Sequence, residues 1–390
     1  MGRANDLDMS LRRDLLLSRA PALAFASMGV LWGSFAAFVP DLKAGIGASD
    51  ALFGIILSVS AIGLMSAMLV APALDRRFTD RAMPVCAIFL AVGYLFPGLA
   101  AVPLTFAMAM FWVAFASGLM DIVMNARVSE LEATERRSLM NLNHAMFSFS
   151  YAAAAFATGL VRDAELPPIV MFASLAVLIA VATPFMRMPV AQADADNPKG
   201  TGYPVGAVVL GGIVVMIAFM SEAASESWSA LHVERSLGGS AMQGALGPTM
   251  LGLTMGFGRL AGQVISERVD NALLIGVAAI VSSCGAFLAA AAETPVQAYL
   301  GFGILGLGVS VIAPTALAMV GQSVGPGPRT HAISRTAVIG FSGFFIGPPM
   351  MGLLSEFAGL PVAFMVVGVL LIIALIPTAL LRNRRRVAQG

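Results

Sequence analysis

Between Gly118 and Tyr151 the chain reads GLMDIVMNARVSELEATERRSLMNLNHAMFSFSY, which sets Asp121, Asn125 and His144 inside two apolar segments joined by a charged loop. A carboxylate isolated in hydrocarbon costs about 3 kcal/mol or more, so a helix that keeps one has paired it, wetted it or given it work. At 1.5 Å per residue Asp121 lies about 9 Å in from Arg127, and His144 about 10 Å in from Arg137 on the next, antiparallel segment. The two can therefore meet at one depth. Desolvation and a neighbouring imidazolium pull a carboxylate's proton affinity in opposite directions, and that competition loads and releases a proton near neutral pH. The plainer alternative is a structural Asp121–His144 hydrogen bond that staples two helices.

A second group of polar side chains lies further along. Glu222 and Glu226 are one turn apart on one face of an apolar run; Glu222 sits deeper, and Glu226 is expected to reach the membrane interface near His232 and Arg235. Trp228 either packs in the core, joins an interfacial aromatic belt or stacks on a substrate ring. Arg335 lies about 9 Å into its segment from Arg329. Its options are to latch onto Asp75, to neutralise Asp121 or to bind an anionic solute group. Arg259, near a segment end, is expected to snorkel.

The elements that position these residues follow from composition. The 390 residues are 58% hydrophobic and 12% charged, with a mean hydropathy of +0.87, which indicates an all-α polytopic membrane protein. Twelve apolar runs fall near 20–42, 52–74, 83–101, 103–126, 141–162, 168–187, 205–231, 241–264, 272–293, 295–320, 330–356 and 361–381. The polar stretch AQADADNPKGTG divides them six and six. The expected organisation is an N-terminal segment 1–19, a six-helix bundle 20–190, a linker 191–204, a second bundle 205–381 and a basic tail 382–390. Arg and Lys residues gather on the side of both termini and leave only Lys43, Arg162 and Arg235 opposite, which predicts cytoplasmic termini. Phe53-Gly54 and Leu246-Gly247, then Gly118-Leu119 and Gly306-Leu307, align as a weak repeat that sets Asp121 against Val309. Parallel six-helix repeats imply a site near the membrane midplane between them.

This six-plus-six plan resembles the major facilitator superfamily over essentially the whole chain. Asp121 with Asn125 resembles the helix 4 acid and Asn of the fucose:proton symporter branch; LMNLNHAMFS, SEAASESWSAL and GFFIGPPMMG are similar to a neighbouring YbjJ-like group. The resemblance implies that helices 1, 4, 7 and 10 line the cavity, bringing in Trp32, Asn125, Glu222, Trp228 and Ser310. It also implies gating by the loop ALDRRFTDR, where Asp75, Arg76, Arg77, Asp80 and Arg81 carry the charges and Thr79 stands where a Gly is usual; a merely solvated loop is the alternative. The fucose branch has a second acid in helix 1, and GVLWGSFAAFV has none.

Other signals are weaker. GFGILG at 301–306 satisfies a dinucleotide pattern but sits in an apolar run, where small residues at helical spacing serve close packing. Gly347-Pro348-Pro349 is expected to break its helix at depth. Cys86 and Cys284 read as buried small residues, without disulfide or metal. Net charge of +1 argues against nucleic acid. His144, His232 and His331 lie on separate segments, so no catalytic constellation, metal site or cofactor motif appears. The expectation is a monomeric, proton-coupled symporter of the bacterial inner membrane, taking a small organic solute through Asp121 and His144. Proton-antiport efflux of a sugar derivative or amphiphile is the alternative.

Overall fold

The computed structural model describes residues 11–189, 204–266, 268–324 and 329–389. Among these every regular element is helical. We number the membrane helices α1 (Arg19–Gly45), α2 (Asp50–Phe78), α3 (Ala82–Gly93), α4 (Pro103–Glu135), α5 (Met140–Asp163), α6 (Pro168–Ala182), α7 (Val205–Leu231), α8 (Ala241–Ser266), α9 (Asn271–Ala290), α10 (Pro295–Gln322), α11 (Arg329–Ala358) and α12 (Leu360–Ile373); α13 (Leu375–Gln389) continues α12. The end where α1 begins is called proximal, and the end where it meets α2 distal. The expected linker and N-terminal segment fall largely outside the described residues.

Local chemistry sets the boundaries. Ser49 caps α2 by accepting from the Leu52 amide at 3.2 Å, and Asp270 does the same for Leu273 at the start of α9. Thr294 and Gln297 form a reciprocal capping box around Pro295, which opens α10. Ten described stretches are long and apolar enough to cross a bilayer; one of them, Asp50–Leu99, holds both α2 and α3, which fold back at the Thr79–Arg81 turn. The helix α8 stands outside that set because Gln243, Thr249, Thr254, Arg259 and Gln263 interrupt its apolar surface. Large side chains such as Phe185 and Phe357 point outward, as the bilayer permits.

The two halves pack in the same way. Within the first, α1 lies on α5 and α2 on α4; within the second, α7 lies on α11 and α8 on α10. Lipid offers no hydrophobic drive for helix association, so close approach must supply it. On α1, Gly29 and Gly33 seat directly against the backbone carbonyls of Phe147 and Tyr151 in α5. Between the halves, α2 packs on α11 and α5 on α8.

Three expectations change. The charged stretch after Ala126 is helix, not loop: α4 continues to Glu135, and Glu132 reaches back to accept the Leu139 and Met140 amides at the start of α5 at 2.6 and 2.7 Å. Gly347-Pro348-Pro349 does not break α11, which runs on to Ala358. Proline at 349 frees the carbonyl four residues back, Phe345, and the Ser58 hydroxyl of α2 donates to that oxygen at 3.1 Å. Cys284 is exposed rather than buried, because its neighbours Ser282 and Ser283 take the inward positions of that turn.

Candidate functional site

Asp121 sits partly exposed on α4, and its carboxylate takes one hydrogen bond, from Asn125 Nδ2 at 2.9 Å. The same amide group donates to the Asp121 carbonyl at 2.8 Å, fixing the pair one turn apart. One turn toward the distal end, Ser117 accepts from the Trp32 indole of α1 at 3.1 Å, and Trp32 lies edge-on to Tyr94 with centroids 5.9 Å apart. His144 rests edge-on against Phe25 at 4.8 Å. The anticipated Asp121–His144 bond is not made.

Across the interface, Arg259 on α8 pairs with Glu222 on α7 at 3.0 Å, with only 13% and 14% of the two side chains exposed. Its guanidinium also donates to the Ser148 hydroxyl and, at 3.2 Å, to the His144 carbonyl, both on α5, and lies 5.9 Å from the Phe147 ring centre. Arg259 therefore does not snorkel. A reading by distance to the helix end places it at the interface, whereas its partner lies 37 positions away in sequence. Glu226 does not reach the interface basic groups either: Arg235 pairs with Asp50, and His232 donates from Nε2 to the Ala289 carbonyl at 2.8 Å. Trp228 is fully buried, edge-on to Phe53 at 5.9 Å, with its indole N–H unpartnered. Ser310 is buried, and its hydroxyl bonds within α10 to the Leu307 carbonyl at 3.0 Å.

At the distal end the halves are tied by charge. Asp50 opens α2 and binds Lys43 at 2.8 Å, Arg235 at 2.6 Å and the Ser355 hydroxyl of α11. Glu356 accepts the Asp50 and Ala51 amides at 2.8 and 3.3 Å, so an acid of one half caps a helix of the other. Arg162 of α5 forks between Asp41 and Glu234. These ties are accompanied by direct backbone contact, Gly352 against the Asp50 carbonyl and Gly54 against that of Pro348. Beyond Ser58 and Phe345 the α2–α11 seam parts: Met65 and Leu69 on one side, Ser334, Arg335 and Val338 on the other, are exposed. The helices α4 and α10 do not pack on one another, whereas α5 and α8 stay joined to their proximal ends, where Gln263 donates to the Ser138 carbonyl at 3.2 Å.

At the proximal end Asp75 is held by Arg127, which is 1% exposed and also binds Glu130 at 3.1 Å. Arg335 makes no ion pair among the described residues, so the Asp75–Arg335 latch is not formed in this state. Arg76, Arg77 and Arg81 are exposed.

Residues 211–390 match the model of the Major Facilitator Superfamily. An uncharacterised MFS-type transporter of Yersinia pestis is 27% identical over 353 residues, 90% of this chain and 92% of the relative. The membrane protein MosC of Rhizobium meliloti is 24% identical, covering 87% of this chain and 84% of its own. Among solved structures, a bacterial homologue of the human lysosomal transporter Spinster, inward-facing and occupied, superposes with a TM-score of 0.78 at 14% identity, covering 95% of this chain and 97% of that one. The chain shares the fold of these transporters, and its second half carries the match to the Major Facilitator Superfamily. The nucleoside transporter NupG shares the fold at a TM-score of 0.69 and 14% identity, over 94% and 98% of the two chains.

The architecture gives its charged residues two settings. The Asp50 and Arg162 networks join the halves at the distal end; the Arg259–Glu222 pair does so in the interior, through α5. Sequence reasoning found Glu222 but missed Ser148 and the unpartnered phenols of Tyr94 and Tyr151, since no pattern in a sequence marks a hydroxyl that lacks a partner.

Proposed function

We propose that this transporter carries a small organic solute by alternating access, in symport with protons, and that Asp121 is the proton-carrying group. The observation behind the proposal is a carboxylate inside a spanning helix whose one hydrogen-bond donor among the described residues is Asn125 of the same helix, with no ion pair among them. Such a group has no structural partner to justify its presence in a membrane, and proton exchange is the work it is suited to. The likeness of Asp121 and Asn125 to the helix 4 pair of the fucose:proton symporters supports the same assignment.

The solute cavity is proposed between the two bundles, 20–190 and 205–381, lined by Trp32, Asn125 and Glu222, with Trp228 and Ser310 packed behind that lining in this state and His144 as the second proton-accepting group. Asp75, Arg76, Arg77, Arg81 and Arg335 form the proximal gate. The closed distal end and parted α2–α11 seam support an inward-facing state, with cytoplasmic termini in a bacterial inner membrane and a monomer as the working unit. Antiport is a second reading, favoured by one observation: Glu226 faces the interior beside the Glu222–Arg259 pair without a cation of its own.

The test is solute accumulation in proteoliposomes under an imposed pH gradient, screened over sugars, carboxylates, amino acids, nucleosides and amines. Asp121→Asn is expected to abolish accumulation while leaving solute exchange at equal pH. Undiminished pH-driven accumulation by that variant overturns the assignment, and the direction of flux separates symport from antiport.

A further inference from the structure

Three polar groups near the Glu222–Arg259 pair lack partners. The hydroxyls of Tyr94, which follows α3, and of Tyr151 on α5 are buried and make no hydrogen bond, the two residues being 0% and 1% exposed. Glu226, on α7, is partly exposed and makes neither hydrogen bond nor ion pair among the described residues. Tyr151 and Glu226 lie about one turn distal of Ser148 and Glu222, the two side chains that Arg259 bridges, and Tyr94 packs on Trp32, whose neighbour Gly33 seats on the Tyr151 carbonyl, so the groups share one depth between α1, α5 and α7. Buried hydroxyls are nearly always bonded, and two orphans beside one unpaired acid mark a position that a ligand completes.

The charges identify the ligand. Around this place stand Glu222 and Glu226 from α7, Arg259 from α8, His144 and Tyr151 from α5, and Tyr94 after α3. The helices α1, α10 and α11 contribute no titratable group at this depth. One guanidinium stands against two carboxylates on α7, so the counter-charge for Glu226 comes from outside the protein. Aromatic rings stand beside the two phenols, Trp32 edge to face with Tyr94 and Phe147 with its centroid 6.1 Å from that of Tyr151, and an acid among aromatic rings is a setting for an ammonium group. The phenol O–H groups supply donors to an acceptor on the same molecule.

We propose that Glu226, Tyr94 and Tyr151 form a subsite for a hydroxylated organic amine, bound by its ammonium group at Glu226 and by its hydroxyl at the phenols. The proposal rests on the central cavity being the solute site, but it concerns binding at equilibrium and not coupling. Protons compete with the ammonium for the same carboxylate, so binding weakens as the pH falls.

The experiment is binding to the detergent-solubilised full chain, read by thermal shift, using tyramine, tyrosol and 4-hydroxyphenylacetate, which carry a cationic, a neutral and an anionic end on one scaffold. Tyramine alone is expected to stabilise, less at pH 6 than at pH 8. Glu226→Gln should weaken it about 10- to 100-fold and Tyr151→Phe less, the range of a lost charged and neutral hydrogen bond. Glu226→Asp, which keeps the carboxylate, should retain binding in part, and Cys284→Ser on the outer surface should leave it unchanged. No tyramine shift, an equal shift from tyrosol or 4-hydroxyphenylacetate, or wild-type affinity in a folded Glu226→Gln protein overturns the proposal. Loss of pH-driven accumulation in Asp121→Asn with tyramine binding absent from the wild type would leave the coupling assignment standing and remove this one.

Discussion

Arg259→Met removes a guanidinium while keeping much of the side chain's length, and the structure sets what this should cost. The replaced group holds Glu222 at 3.0 Å, the Ser148 hydroxyl and the His144 carbonyl, with both members of the ion pair less than one-sixth exposed. Removing one partner of a buried pair leaves an uncompensated charge and costs about 3 to 5 kcal/mol. Glu222→Gln is milder, about 1 to 2 kcal/mol, because Arg259 keeps its α5 partners and the amide oxygen at 222 still accepts from it. The double variant has no orphaned carboxylate at position 222, so its loss should fall short of the sum by about 1 to 3 kcal/mol. Equilibrium unfolding in mixed micelles of graded denaturing detergent, run as a four-protein cycle, measures that shortfall. The Arg259→Met penalty should also grow from pH 5 to pH 8, because at low pH a proton can replace the guanidinium as counter-charge and at high pH none is bound. Additivity within about 0.5 kcal/mol would refute the claim that the two residues hold each other.

Two further outcomes test local readings. Ser58→Ala leaves the Phe345 carbonyl without a donor and should lose about 1 kcal/mol of unfolding free energy, while adding Pro349→Ala, which restores the amide that α11 lacks, should recover most of it; the same unfolding cycle reads both. Thr79, at φ +47°, occupies backbone that a β-branched residue resists, so Thr79→Gly should stabilise the proximal turn by about 1 kcal/mol and raise the melting temperature.

The helices were legible because membrane thickness fixes their length and lipid forces every backbone group into an internal bond. Their ends were less so. Apolar periodicity stops at Ala126, yet α4 continues because Arg127 finds Asp75 and Glu130, and Glu132 finds the amides of α5; those partners are tertiary and leave no local pattern. The minority charges were the better signal. Lys43, Arg162 and Arg235 stand apart from the basic residues of the other side, and all three are members of the distal network. Thr79 was legible in another way: the related loops carry Gly there, and the observed positive φ supplies the reason. Asp121 and Asn125 are one turn apart as their spacing demands, but which helix His144 faces depends on the rotation of α5, and that is set by Gly29 and Gly33 of α1.

Exposure separates the ion pairs that can open from those that must exchange. At the distal end Arg235 and Asp41 are 45% and 44% exposed while their partners Asp50 and Arg162 are 4% and 2% exposed, so water reaches one member of each pair and not the other. Arg259 and Glu222 have no such access, and parting them requires that another charge or a proton arrive first. On the proposed cycle, closure of the proximal end therefore needs two unlike events: loosening of the half-exposed ion pairs around Asp50 and Arg162, and a change of occupancy at the interior acids. Alternating access coupled to an ion requires that the first not proceed without the second. The contact that links them is Arg259, which reaches from the second half to Ser148 and His144 in the first. Its α8 also meets the distal network, where Arg162 donates to the Ala241 carbonyl at 3.2 Å. Occupancy at Glu222 and Glu226 can thus be felt along α8 at the distal ties, because one rigid helix carries both ends of the connection.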